Sequence, residues 1–194
     1  LDADRIKWDQ RYSGDEWMFS LTPSRYLARN IERICTLVGG RRALDVACGE
    51  GRNAIFLAQR GFEVTAVDIS GKGLERARSR AAEVGVEVAF LQADLEEYRI
   101  AGSYDLILNF NFLLRPMIPE LIRAAAPGGV ILMETILDGP ALTGEHSRHF
   151  LLQPGELQRL FDVPEGEILE WGEDCLNGTP VAGVLFRRKP AAVK

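Results

Sequence analysis

An apolar strand, a glycine turn and a helix follow one another without a gap in Ala43-Leu44-Asp45-Val46-Ala47-Cys48-Gly49-Glu50-Gly51-Arg52-Asn53. A second strand, Glu63-Val64-Thr65-Ala66-Val67, then ends on Asp68. No other stretch constrains the chain as much. Glycine lets the backbone approach a ligand closely, and the N-terminus of the next helix offers unpaired N–H groups to a negative group. An acid closing the second strand can accept from both hydroxyls of a ribose. The spacing predicts a parallel strand–helix–strand unit around a nucleoside-bearing ligand.

The chain keeps that rhythm to residue 136. Strands are expected at about 42–47, 63–67, 86–91, 104–109 and 130–136, with amphipathic helices between them. One helix carries Leu74, Ala77, Ala81 and Val84 on one face; another covers about 117–126, before a turn at Pro127-Gly128-Gly129. Continuous apolar strands between such helices imply a parallel sheet covered on both faces. Ahead of it, residues 3–12 read as a short amphipathic helix or lid, with Ile6, Trp8 and Tyr12 among charges. Thr22-Pro23 reads as the cap and first position of a helix that carries Leu27, Ile31, Ile34 and Val38. After residue 137 a long irregular stretch, about 138–153, leads to a short helix near Pro154. Two strands, about 166–172 and 181–188, follow, joined by a polar loop through Asn177-Gly178, and they should form an antiparallel hairpin.

With 194 residues and a 46% apolar fraction, one domain with a sizeable core is expected. Within it, residues 1–40 form an N-terminal helical cap, 41–136 the ligand-binding core, and 137–194 a second-substrate loop with the last helix and hairpin. The net charge of −5 argues against nucleic acid as a partner, since affinity for phosphate backbones comes from Lys and Arg. No apolar run reaches membrane-spanning length, and Leu1-Asp2-Ala3-Asp4-Arg5 does not read as a signal peptide. Cys35, Cys48 and Cys175 are too few and too scattered for a disulfide framework, which suits a reducing compartment such as the cytoplasm.

Gly49-x-Gly51-x-x-Ala54 satisfies the dinucleotide fingerprint, so an NAD(P)-dependent oxidoreductase is one reading. Three features favour another. Asp45 lies inside the first strand, where a dinucleotide loop has no use for an acid but a ligand with a charged amino group has. Asp94 follows the third strand, placed to accept from an adenine amine while the Leu95 N–H donates to a ring nitrogen. The tail supplies an antiparallel hairpin, whereas the dinucleotide fold continues in parallel units.

On these residues the chain resembles class I S-adenosylmethionine-dependent methyltransferases over roughly 5–190. Asp45-Val46-Ala47-Cys48-Gly49-Glu50-Gly51 is similar to that family's first motif, with Ala47 where a glycine is usual. Within the family, Arg52-Asn53-Ala54, Leu57-Ala58, Gly61 and the later Phe150-Leu151-Leu152-x-Pro154-x-Glu156-Leu157 look like the tellurite-resistance and thiopurine-type branch. The resemblance implies a Rossmann-like α/β fold with a doubly wound, mostly parallel sheet of strand order 3-2-1-4-5-7-6. It also implies S-adenosyl-L-methionine as cofactor and S-adenosyl-L-homocysteine as product. Carried over, it puts Gly49 and Gly51 beneath the methionine part, and Asp45 and the Asn109 carbonyl at its amino group. Arg25 goes to its carboxylate, Asp68 to the ribose, Ile69 to the adenine face, and Asp94 with Leu95 to the adenine edge.

The implied reaction is methyl transfer to a small-molecule acceptor by in-line displacement. A hydroxyl acceptor needs a base, for which Glu134, His146 and His149 are candidates; a soft nucleophile (a thiol, selenium or tellurium species) needs none, in keeping with the branch. Arg115, Arg148 and His149 are the residues expected to attract an anionic acceptor. His146 and His149 lack a third ligand at convincing spacing, so no metal is expected. A non-catalytic S-adenosylmethionine-binding module is a further reading, and aminopropyl transfer a remote one for want of extra carboxylates. Oligomeric state is not legible.

Overall fold

The computed structural model describes residues 2–14, 16–18, 20–140, 142 and 148–191. Seven strands form one sheet: β1 (Arg42–Val46), β2 (Glu63–Asp68), β3 (Ala89–Gln92), β4 (Tyr104–Phe110), β5 (Ala125–Ile136), β6 (Gly166–Leu176) and β7 (Thr179–Arg188). Their order is β3-β2-β1-β4-β5-β7-β6, as expected; β1 to β5 pair in parallel, and β7 pairs antiparallel with both β5 and β6. The reversal of direction on either side of β1 opens a crevice at the carboxyl ends of β1 and β4, the place where open α/β sheets bind ligands.

Alternate residues of each strand feed two apolar layers, as a period of two requires. On one face, Leu27, Ile31 and Ile34 of α2 (Arg25–Leu37) and Ala54 and Leu57 of α3 (Arg52–Ala58) pack on Ala43, Ala66, Leu106, Leu108 and Leu132. On the other, α5 (Ile118–Ala124) and α6 (Glu156–Phe161) bury Leu121, Ile122, Leu157 and Phe161 against Leu44, Ile107, Ile131 and Phe186. The expected N-terminal cap therefore divides: α2 is a layer of the core because its apolar stripe faces the sheet, and only α1 (Asp2–Tyr12) lies outside, against α4 (Gly71–Glu83).

Three boundaries differ from expectation for local reasons. The α2 helix begins at Arg25, capped by Ser24, whose side chain accepts from the Leu27 N–H. The Ser24 N–H, which a cap at Thr22 would have needed, is taken by Asn53 Oδ1. The β3 strand starts at Ala89 because the Val86 N–H is used in closing α4 on the Ala81 carbonyl. Pro127-Gly128-Gly129 does not separate helix from strand: β5 already begins at Ala125, paired with Tyr104, and the register shifts before Leu106 pairs with Val130. The hairpin is longer than expected. Both strands run up to Asn177 and Gly178, which take φ of 51° and 85°. Positive φ at both central residues matches the right-handed twist of the flanking strands.

Candidate functional site

Four strand ends meet along the crevice. Asp45 is the fourth residue of β1, in register with Leu108 of β4, while Val46 pairs with Asn109. Asp45 is buried, and burial pushes its carboxyl up to about 7; Asp68 adds to the rise, while Arg52 and the Ala54 N–H oppose it. Asp45 Oδ2 and Asn109 Oδ1 are both buried with no hydrogen-bond partner among the described residues. Buried polar atoms are nearly always satisfied. The register puts the two side chains on opposite faces of the sheet, Asp45 with Leu108 and Asn109 with Val46, so it is the orphaned Asp45 carboxylate that suits a cationic donor brought by a ligand.

The turn after β1 is shaped by Asp68. Its carboxylate accepts from the Gly49 N–H at 2.7 Å and from the Ser70 N–H at 2.9 Å, tying the turn to the start of α4. Burial raises its pKa, partly offset by the N–H groups of Ser70, Gly49 and Ile69. Gly49 must be glycine: its φ is +54°, and an added Cβ would lie 2.6 Å from the Tyr12 hydroxyl. Ala47, where the family resemblance has glycine, holds φ of +55°. The left-handed region costs an alanine about 1–2 kcal/mol, against a smaller unfolded-state penalty for glycine. Ala47→Gly is therefore expected to raise stability by about 0.5–1 kcal/mol in urea unfolding, with an unchanged m value.

Asp94 opens the turn after β3, where its carboxylate accepts from the Glu96 N–H at 3.0 Å; the side chain of Leu95 enters the core. The Ile69 carbonyl accepts from Gln92 Nε2 at 3.1 Å. Arg25 is the first residue of α2, not the third, and is exposed. It lines a small cavity with Tyr26, Arg29, Glu134 and Asp174. The start of α2 is moored to α3 by the Ser24 N–H, which donates to Asn53 Oδ1 at 2.8 Å.

On the opposite side of the crevice the structure gives Arg115 a different duty from the one expected. Its guanidinium forms a two-pronged pair with Glu156 and donates to the carbonyls of His149 and Leu151. It is thus engaged in pinning 149–156 against the 3-10 turn Arg115–Met117, instead of standing ready for an anionic acceptor. Arg148 and His149 are exposed at the start of that segment. His146 lies outside the described residues, and among the described residues no group of three metal-ligating side chains occurs. Glu134 is the half-buried member of the expected bases. It stands near the end of β5, paired with Phe110 of β4, and its carbonyl accepts from the Asn111 N–H. Burial raises its pKa, with Arg29, Arg52 and Arg25 opposing.

Sequence reasoning did not find Asp9, Glu50 and Arg76 as parts of the site, and gave Tyr12 as part of a lid or as plain packing. Glu50 is buried beside the turn and pairs with Arg76 at 2.9 Å. An acid flanked by two required glycines was the available signal.

A crevice at the switch point of this sheet order, floored by a glycine turn and rimmed by strand-end acids, defines a protein of the nucleoside-cofactor-binding α/β class. Residues 43–129 match the family described as Methyltransferase domain. The ubiquinone biosynthesis O-methyltransferase of Bordetella avium (strain 197N) is 31% identical over 150 residues, 66% of this chain and 62% of that protein. Among solved structures, TehB from Haemophilus influenzae superposes with a TM-score of 0.71 at 17% identity, over 95% of this chain and 67% of that one. Magnesium protoporphyrin IX methyltransferase from Synechocystis PCC 6803, solved with bound S-adenosylhomocysteine, gives 0.70 at 18% identity, over 97% and 99%. Residues 43–129 thus match a methyltransferase domain, and the fold is that of the solved S-adenosylmethionine-dependent methyltransferases on which the chain superposes. The chain spans less than two thirds of the length of the Bordetella relative.

Proposed function

We propose that this chain transfers a methyl group from S-adenosylmethionine to the hydroxyl of a small organic acceptor. The observation that carries the cofactor side is the orphaned Asp45 Oδ2, buried at the end of β1 next to the end of β4, whose Asn109 carbonyl would share the methionine ammonium with it. In this reading Asp68 holds the ribose, Asp94 and the Leu95 N–H hold the adenine beside Ile69, and Gly49 and Gly51 form the floor. Arg25 reaches the methionine carboxylate. When bound, the cofactor supplies a methyl group on a sulfonium, so the protein's task is to align the acceptor and take up its proton. Glu134 is suited to that second task, because a carboxyl raised by burial is a stronger base than an exposed one. The O-methyltransferases among the sequence relatives support oxygen over a soft nucleophile as the acceptor atom. The free thiols Cys35, Cys48 and Cys175 suit the cytoplasm. No helix among the described residues is long and apolar enough to cross a membrane.

The test is release of S-adenosylhomocysteine across a panel of phenols, carboxylic acids, thiols, selenite and tellurite. Turnover with a hydroxyl acceptor is expected, and Glu134→Gln should lower its kcat by about a hundredfold, the usual contribution of a positioned base. Turnover confined to thiols, selenite or tellurite, with Glu134→Gln unchanged, would replace oxygen by a soft nucleophile. Binding of the cofactor with no turnover on any class would favour the non-catalytic reading.

A further inference from the structure

The α1 helix has no place in either apolar layer, yet Tyr12 at its end is buried. Two sets of polar contacts from α4 hold it there. The first is at the start of α4, where Asp9 Oδ1 accepts from Ser70 Oγ at 2.6 Å and from the Lys72 N–H at 3.1 Å. A carboxylate at that position also meets the positive end of the helix dipole, and the contact with Ser70 leads the causes that lower the Asp9 pKa. The second set is centred on Arg76. Its guanidinium donates to the carbonyls of Tyr12 at 2.9 Å, Gly14 at 2.5 Å and Glu16 at 2.9 Å. The same group pairs with the buried Glu50 and stacks 4.1 Å from the Trp17 ring centroid, whose other neighbour is Arg80 at 3.4 Å.

Between the two anchors sits Tyr12. Its hydroxyl lies against Gly49, and its ring against Gly73, where an added Cβ would meet it at 3.0 Å. Gly49 donates to Asp68, so the phenol covers the junction of turn and strand-end acid. Arg76 touches both parties: the turn residue Glu50 and the backbone that carries Tyr12. The planar fork of an arginine bonded to the carbonyls of Tyr12, Gly14 and Glu16 fixes their spacing.

We propose that Asp9 and Arg76 are positioning residues for cofactor retention: they hold the N-terminal helix so that Tyr12 closes over the Gly49 turn, and so set the rate at which the cofactor leaves. The inference rests on the cofactor reading above. It predicts that loosening either anchor speeds dissociation and raises KM for the cofactor, while kcat at saturation is kept or rises where product release limits turnover. A role in folding alone would leave that split unmoved.

The experiment measures the dissociation rate of S-adenosylhomocysteine and amide exchange of residues 2–18 in wild type, Asp9→Ala, Asp9→Asn, Arg76→Ala and Arg76→Lys. Asp9→Ala and Arg76→Ala should dissociate the ligand about tenfold faster or more, as interface changes act mostly through off-rates, with faster exchange in 2–18. Asp9→Asn keeps an acceptor for Ser70 and should recover most of the loss. Arg76→Lys keeps the charge on Glu50 without the fork and should recover little. Asp9→Ala leaves the Arg76–Glu50 pair in place, so the test stands where Arg76→Ala fails to fold. Dissociation within twofold of wild type in a folded Asp9→Ala, with wild type binding normally, overturns the proposal and spares the cofactor reading. Wild type that binds no S-adenosylhomocysteine overturns the cofactor reading, and the proposal with it.

Discussion

Asp68→Ala is expected to lose both stability and cofactor affinity, and the two losses have separate causes. In the free protein the carboxylate is the acceptor for two backbone N–H groups, Gly49 and Ser70, in a buried setting. Hydrogen bonds to a charged group contribute about 1.5–3 kcal/mol each, and the alanine leaves both donors without that partner. Two such losses, moderated by the burial cost that the carboxylate no longer bears, give a net fall of about 2–4 kcal/mol. For a chain of this size the melting temperature should drop by about 5–15 °C. On the proposed placement of the ribose, affinity for S-adenosylhomocysteine should fall by about a further 1–3 kcal/mol. Asp68→Asn separates the terms: its single amide oxygen still accepts from one of the two N–H groups, so part of the stability returns, while the charge does not. Calorimetric melting and titration of each variant read the two quantities independently. A normal affinity in a folded Asp68→Ala would move the ribose elsewhere in the crevice.

The acids of this crevice were legible because the chain presents them in a regular pattern. Asp45, Asp68 and Asp94 belong to the first three strands or the turns that follow them, and Asn109 to the fourth. A parallel sheet brings such positions to one edge whatever lies between them. The side chains that secure the crevice were not legible, for an equally physical reason. Arg76 reads as one of several charges on an amphipathic helix, and its partners Tyr12, Gly14 and Glu16 lie 60 or more positions away. Arg115 shows the same limit. Its charge suggested an anionic substrate, but the nearest carboxylate in the folded chain proved to be Glu156, 41 positions on. Element ends missed by two or three residues trace to a single competing bond, as at Ser24, whose N–H, one that a Thr22 cap would have needed, goes to Asn53 Oδ1 instead.

Affinity for S-adenosylhomocysteine should rise with pH through neutrality, and Asp45 is the cause. Burial holds its carboxyl at about 7, well above the carboxylate norm, so below that pH the ligand-free protein carries it protonated. Linkage fixes the sign. A folded-state pKa above the unfolded value means that this group removes stability as pH climbs from about 4 to about 7, by up to about 1.4 kcal/mol per unit. A bound ammonium reverses the preference by favouring the charged carboxylate, so binding expels a proton at any pH below 7. The dissociation constant should then fall by about tenfold per pH unit on the acid side and level off above pH 7. Titration calorimetry at pH 6 in two buffers of different ionisation enthalpy should register the release of close to one proton. Asp45→Asn removes the titrating group and should flatten the profile, with affinity at pH 7.5 reduced by the loss of a charge-assisted contact. An affinity independent of pH between 5.5 and 7.5, with heats that do not depend on buffer, would mean that the ligand's amino group lies away from β1. The orphaned Asp45 Oδ2 would then need another donor.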